Sequence, residues 1–325
     1  MPHSPDLDLL VLGDANPDVV LGPLDGPLAF GQHERLVPTG LLTLGGSGAI
    51  TACGAARLGL RVAIAARIGD DDAGRFVRAA LDARGVDTSA LRVVPGEATP
   101  LTTVLTRPDG DRAILTAAGT LATTGPDDVP ERLLTRSRHV HAASWFLLPQ
   151  LAAALPDLLR TARAHGATTS LDTNDDPAGR WDPTALAGVL PTVDVLLPNA
   201  QEALALAHLP TGTPEQAAGL LAARGPLVVV KNGGAGAFAH DGRDIVYTAG
   251  IPAEPLDTVG AGDSFDAGYL AALLADESPA RALEFAAACG ALSTRAHGGT
   301  PAQATRAEAL AALARNRDNQ GKNHS

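Results

Sequence analysis

One stretch of this 325-residue chain carries most of its chemistry: Asp257-Thr-Val-Gly-Ala-Gly-Asp-Ser-Phe265, which opens an Ala- and Leu-rich run from Ser264 to Ala275. Gly260, Ala261 and Gly262 let the backbone come close to a ligand, because glycine has no side chain and accepts unusual torsions. The free N–H groups at the start of the following helix point the same way and favour an anion. Asp263 stands where that anion would bind. A carboxylate there repels a bare phosphate, but it suits a proton acceptor beside a phosphoryl group, where a hydroxyl nucleophile must lose its proton. Taken alone, the same residues also read as a Gly-rich turn with Asp263 capping the helix.

The elements that must position this turn are legible as alternating runs. Short apolar stretches at Leu7–Leu12, Arg61–Ile68, Val140–Ala143, Thr168–Asp172, Val193–Pro198 and Leu227–Lys231 read as buried strands. Between them, Ser47–Leu58, Ala73–Arg84, Leu151–Ala164 and Pro214–Arg224 read as helices. Strands alternating with such helices predict an α/β fold, a doubly wound and mostly parallel sheet with helices on both faces. Two segments break the rhythm. Asp18–Leu42 is rich in Gly and Pro, and Glu97–Ala118 places Arg107-Pro108-Asp109-Gly110 between two β-branched runs, a hairpin signal. These two segments are expected to pair as a small separate sheet. The polar tail Asn316–Ser325 is expected to fray.

Composition excludes several classes. The chain has 25 basic and 36 acidic residues, a net charge of −11, with no basic run, so a nucleic-acid partner is not expected. Cys53 and Cys289 lie in Ala-rich context without zinc-type spacing and read as small core residues. The opening MPHSPDLDLLVLGD lacks the pattern of a signal peptide, and no run of 18 apolar residues exists. A cytoplasmic protein with no membrane partner is therefore expected. The turn after the first strand, Gly13-Asp-Ala-Asn16, fails the dinucleotide fingerprint, and no Gly-Lys pair precedes Ser or Thr as a P-loop requires. His139 and His141 flank a strand without a third partner and read as structural. Trp145 reads as packing more readily than as a stacking platform.

The nine-residue string resembles the second signature of the ribokinase (pfkB) family of carbohydrate kinases, D-T-x-G-A-G-D-x-F. Other segments agree in order: Gly13-Asp-Ala-Asn16-Pro-Asp18, Gly45-Gly46-Ser47-Gly48-Ala49, Gly69-Asp-Asp-Asp-Ala-Gly74, Asp172-Thr-Asn174, Asn199-Ala-Gln-Glu202 and Lys231-Asn-Gly233-Gly-Ala-Gly236. The resemblance spans Gly13 to about Pro301 and implies one kinase domain over 1–325, with the two irregular segments, about 18–42 and 97–118, as a β-sheet lid.

The resemblance implies a role for each matched position. Asp263 is the expected general base, and Gly260, Ala261 and Gly262 are the expected anion hole. Asn16, Asp18 and the Gly45, Gly46, Ser47, Gly48 run are expected on the sugar. Asn199 and Glu202 are expected near Mg²⁺ and phosphates, although their spacing equally makes a helix capping box. Lys231, Gly233 and Gly236 are expected along ATP. Asp257 and the Val259 carbonyl match a monovalent cation site for an ion such as K⁺, with Ser293–Gly298 completing it. The expected partners are ATP, a small sugar, and a second copy paired through the lid.

Two departures bear on the substrate. Ile50 stands where the family often has an Asn that contacts sugar hydroxyls, so one polar contact is missing. Asp176 stands where many members have an Arg after D-x-N; Arg107, Arg112 and Arg180 are the candidates for a substrate carboxylate. A nucleoside kinase of the same fold remains an alternative. So does a catalytically silent sugar-binding member, against which the retained Asp263 argues.

Overall fold

The computed structural model describes residues 6–109 and 111–322. Strand β1 (Leu7–Leu12) shows why the main sheet is covered on both sides. Its side chains alternate: Leu9 and Val11 join one apolar cluster with Ile64, Ile68 and Leu270, while Leu10 and Leu12 join another with Val140, Leu155 and Leu159. A strand apolar at successive positions must be sandwiched to bury them all.

Twelve more strands follow: β2 (Asn16–Gly22), β3 (Thr39–Gly45), β4 (Val62–Gly69), β5 (Leu91–Val94), β6 (Leu101–Thr106), β7 (Arg112–Ala117), β8 (Ser137–Ala142), β9 (Thr168–Leu171), β10 (Val195–Leu196), β11 (Leu227–Lys231), β12 (Ala237–His240) and β13 (Ile245–Thr248). The helices are α1 (Ser47–Arg57), α2 (Asp72–Asp82), α3 (Glu131–Leu134), α4 (Pro149–Ala164), α5 (Pro183–Val189), α6 (Ala200–Leu206), α7 (Pro214–Ala222), α8 (Ala261–Leu273), α9 (Pro279–Ser293) and α10 (Arg306–Lys322).

The main sheet has nine strands in the order β13-β12-β11-β10-β9-β8-β1-β4-β5. All neighbours are parallel except β11–β12 and β12–β13. From β1 the chain winds one way to β4 and β5, then returns and winds the other way from β8. The switch point between β1 and β8 opens a crevice beyond the strand C-termini, where ligands bind in open α/β sheets. Helices α1, α2, α8, α9 and α10 cover one face, and α3 to α7 cover the other. The expected doubly wound sheet is present. The antiparallel edge β12–β13 was not foreseen, because these four-residue strands carry little periodic signal.

The second sheet is small and separate, in the order β3-β2-β6-β7, with β2–β6 parallel and the other pairs antiparallel. Its first part runs from Asn16 to Gly45, wider than the Asp18–Leu42 segment read from composition. Gly110, in the anticipated β6–β7 hairpin turn, lies outside the described residues. The tail expected to fray from Asn316 is helical to Lys322, and 323–325 lie outside the described residues. Among the described residues no helix is long and apolar enough to cross a membrane.

Both cysteines are buried, and burial pushes each thiol up to about 12, so neither is poised as a thiolate. Cys289 has a packing role. A Cβ on Gly268 of α8 would come within 2.9 Å of the Ala286 Cα and the Cys289 Cβ of α9. The two helices therefore touch through small residues. Gly268→Val is expected to push them apart and cost about 1–3 kcal/mol, read as a lower urea midpoint. An unchanged midpoint would show that the α8–α9 contact yields freely.

Candidate active site

Gly260 caps α8 in the left-handed region, at φ 70°. A Cβ there would lie 2.6 Å from the Gly299 Cα and 3.1 Å from the Ile50 Cγ2. Torsion and space both require glycine. Ile50 is buried against Gly299 and Gly260, so in this chain it supports the turn from beneath as well as lining the cleft. Asp263 sits in the first turn of α8 and is buried at the cleft wall. Burial pushes its carboxyl up to about 8, the nearby Asp172 charge adds to this, and Lys231 opposes it.

The larger cleft, about 720 Å³, lies between this turn and the small sheet. Alternate residues of β7, Arg112, Ile114 and Thr116, form its lid wall with Thr102 and Val104 of β6, as period-two strands dictate. Asn16, Asp18, Gly46 and Ser47 also line it. The Asn16 amide donates to the Asp18 carboxylate at 2.8 Å and the Thr102 hydroxyl at 3.2 Å. Burial, then the Asp14 charge, pushes Asp18 up to about 7. Gly45 and Gly48 stand behind the wall. A Cβ on Gly45 would collide with the Asp18 carboxylate, and Gly48 packs against the Asp14 backbone.

Asp14, at the end of β1, anchors this side. Its Oδ1 accepts from the Gly48 N–H at 2.9 Å and the Ser144 hydroxyl at 2.8 Å. The Asn174 amide donates to Ser47 Oγ at 2.7 Å while its carbonyl accepts from the Ser144 N–H. Sequence reasoning gave Asp14 and Ser144 no role. Their signal was only their position just past β1 and β8, which becomes informative once those strands are known to be neighbours.

A second cleft, about 430 Å³, adjoins the first and is walled by Ile251, Pro252, Phe265, Ala287 and Ala291 together with Gly233 and Gly236. Gly236, at φ 106°, leaves no room for a side chain beside Thr248. Thr258, Gly262, Lys231 and Gly233 line both clefts, so the turn is the partition between them.

Lys231 ends β11 beneath that partition. Its ammonium donates to Asp172 at 2.7 Å and to Asp266 at 3.0 Å. Burial works against its charge, but Asp172, Asp266 and Glu202 outweigh it and hold the ammonium above its ordinary value. The Asp172, Asp263 and Asp266 carboxylates lie within 4.8 Å of one another. Lys231 already supplies the cation for two of them. Asp266, one helical turn past Asp263, was also unforeseen; the sequence offers only its spacing.

Asn199 and Glu202 line the larger cleft and also form the capping box of α6, with the Asn199 N–H donating to the Glu202 Oε2 at 2.8 Å and the Glu202 N–H to the Asn199 Oδ1 at 2.9 Å. The capping-box reading holds, and the pair faces the cleft while making it. Burial and the Asp172 charge push Glu202 up to about 7. Its other oxygen has no protein donor among the described residues, and a hard carboxylate oxygen of this kind suits magnesium.

Asp257 lines neither cleft. Its carboxylate accepts from the Val259 N–H at 2.9 Å and the Gly298 N–H at 2.8 Å, tying the turn to the loop after α9. Val259 packs under the lid with Val20 and Val104. Arg107 and Arg180 lie outside the cleft wall, and Trp145 is buried with its ring 4.9 Å from Phe146. His139 and His141 share the Ser170 hydroxyl at 2.7 Å each, and burial holds them down, to about 3 and about 4.

The sequence profile of pfkB family carbohydrate kinases matches residues 6–306. The chain belongs to the pfkB family of carbohydrate kinases. Among pfkB proteins it is 34% identical to an ATP-dependent ribose-1-phosphate kinase of Halopiger xanaduensis, over 94% of this chain and 97% of that one. It is 28% identical to the ribokinase of Haemophilus influenzae, over 93% and 97%. The ribokinase of Arabidopsis thaliana solved with ribose and ATP superposes with a TM-score of 0.83 at 27% identity, covering 96% of this chain and 99% of that one.

The geometry makes Lys231 a strut of this pfkB site. Lys231→Met strands two buried carboxylates and is expected to cost about 3–5 kcal/mol in ligand-free urea unfolding. A lysine serving nucleotide contact alone would leave that midpoint where it was.

Proposed function

We propose that the chain transfers the γ-phosphoryl group of ATP to a hydroxyl of a small sugar or sugar acid, with Asp263 as general base and the Gly260–Gly262 backbone as anion hole. One observation carries this reading: a buried carboxylate stands in the first turn of a helix whose glycine cap partitions a polar cleft from an apolar one. The polar cleft suits a polyol, and the apolar cleft suits a nucleobase.

Asp263 takes the proton of the acceptor hydroxyl. The acceptor oxygen then forms a bond to the γ-phosphorus, and the bond from that phosphorus to its bridging oxygen breaks, leaving the electron pair on ADP. The N–H groups at the start of α8 hold the charge of the transferring group. Glu202 and Asn199 would hold a magnesium ion, which would supply charge neutralisation to the phosphates. Asn16 and Asp18 orient acceptor hydroxyls, and the lid excludes the water that would otherwise accept the phosphoryl group.

Asp263→Asn is expected to lose about two to four orders of magnitude in turnover on the preferred sugar. Unchanged turnover would sink the assignment. Since Asp263 must be ionised to accept a proton and burial raises its carboxyl to about 8, kcat/KM should rise about tenfold per pH unit below that value and level above it. A profile flat from about pH 5 to about 9 would exclude Asp263 as the titrating base. A panel of sugars and nucleosides separates the sugar reading from a nucleoside kinase: turnover of adenosine or inosine alone would overturn the former. Potassium stimulation in the same assay tests a monovalent cation at Asp257 and the Val259 carbonyl.

A further inference from the structure

Arg112 stands out in the larger cleft because, among the described residues, its guanidinium forms no ion pair. It is carried by the lid, at the start of β7, and the strand's alternation aims it into the cleft with Ile114 and Thr116. Its guanidinium donates to the Thr258 hydroxyl at 3.0 Å. Thr258 lines both clefts and lies two residues before the Gly260 cap. The lid arginine therefore ends at the partition where the two clefts meet.

The charge balance of the cleft is uneven. Asp14, Asp18, Asp172, Asp175, Glu202 and Asp263 all line it. The cations in its wall are Lys231, already held by Asp172 and Asp266, and Arg112. Among the described residues no carboxylate lies within ion-pairing distance of Arg112; its one partner is a neutral hydroxyl. A guanidinium has five N–H donors in a fixed fork, so most of them remain free for an oxyanion, and that fork matches phosphate. Arg107, on the same hairpin, differs: it pairs with Asp111 at 3.5 Å and does not line the cleft.

We propose that Arg112 is a phosphoryl-binding group, delivered by the lid to the junction of the two clefts. The proposal rests on the kinase reading above and adds the chemistry that the lid contributes. The same oxyanion chemistry has two sources, the γ-phosphoryl group of the donor and a phosphate carried by the acceptor. In either case Arg112 offsets the carboxylate-rich wall that a phosphorylated ligand must enter.

The test compares wild type, Arg112→Gln, Arg112→Lys and the control Arg107→Gln on neutral sugars and on sugar phosphates including ribose 1-phosphate. Binding of ATP and of ribose 1-phosphate is measured alongside by calorimetry. Loss of about 10²–10³-fold in kcat on neutral and phosphorylated acceptors alike, with partial rescue by lysine, places Arg112 on the donor's phosphoryl group. Loss of kcat/KM confined to sugar phosphates places it on the acceptor's phosphate. Arg112→Gln matching wild type and Arg107→Gln in turnover and in both affinities overturns the proposal. If wild type phosphorylates no acceptor on the panel, the kinase reading fails. Arg112 is then judged by binding alone: at least about tenfold weaker binding of either phosphorylated ligand in Arg112→Gln (~1.4 kcal/mol) upholds it, and equal binding removes it.

Discussion

The Lys231 ammonium lies between the Asp172 and Asp266 carboxylates, and three element ends meet on it. Asp172 follows β9, Lys231 ends β11, and Asp266 belongs to the first turns of α8. Buried charges are costly to desolvate, so such a cluster is tolerated only when each member has its partners in good geometry. That demand fixes the distance from the sheet to the start of α8. The position of the Gly260 cap, the direction of the helix N–H groups and the depth of Asp263 all follow from it. The same cluster also acts on the Asp263 carboxyl: burial and Asp172 raise it, while Lys231 pulls it down.

The lid is tied to the same turn rather than suspended over it. Val259, directly before Gly260, packs with Val20 and Val104 of the small sheet. Asn16 and Asp18 lie on β2, so one strand of the small sheet itself lines the larger cleft, and Gly45 on β3 makes the room that Asp18 needs. The small sheet and the turn thus build the cleft together.

Much of this was legible in the chain. The apolar runs marked the strands because a strand buried on both faces must be apolar at successive positions, and β1 and β11 fall where the runs were read. The GAGD turn was legible because its torsion and close approach admit so few residue types. The capping pair Asn199 and Glu202 was legible as a helix start, and the fold shows that a capping box can also line a cleft. Less visible were residues whose importance comes from neighbours distant in sequence. Asp14, Ser144 and Asn174 form one network from three strand ends, and no local pattern announces it. Gly45 and Gly48 owe their place to packing against Asp18 and the Asp14 backbone, neighbours that no local pattern supplies. Ile50, a lost polar contact by residue type alone, both buttresses the Gly260 turn and lines the cleft.

By itself the sequence determined the α/β alternation, the glycine turn with its carboxylate, and the kinase family they mark, because these depend on local torsion, periodicity and residue type. Only the tertiary structure decided that Lys231 is a buried strut, that Asp257 ties loops together, and which of three arginines enters the cleft. Those outcomes depend on which strand ends become neighbours and on which faces lose water. Pairing and desolvation are properties of the assembled chain, and no stretch of residues carries them alone.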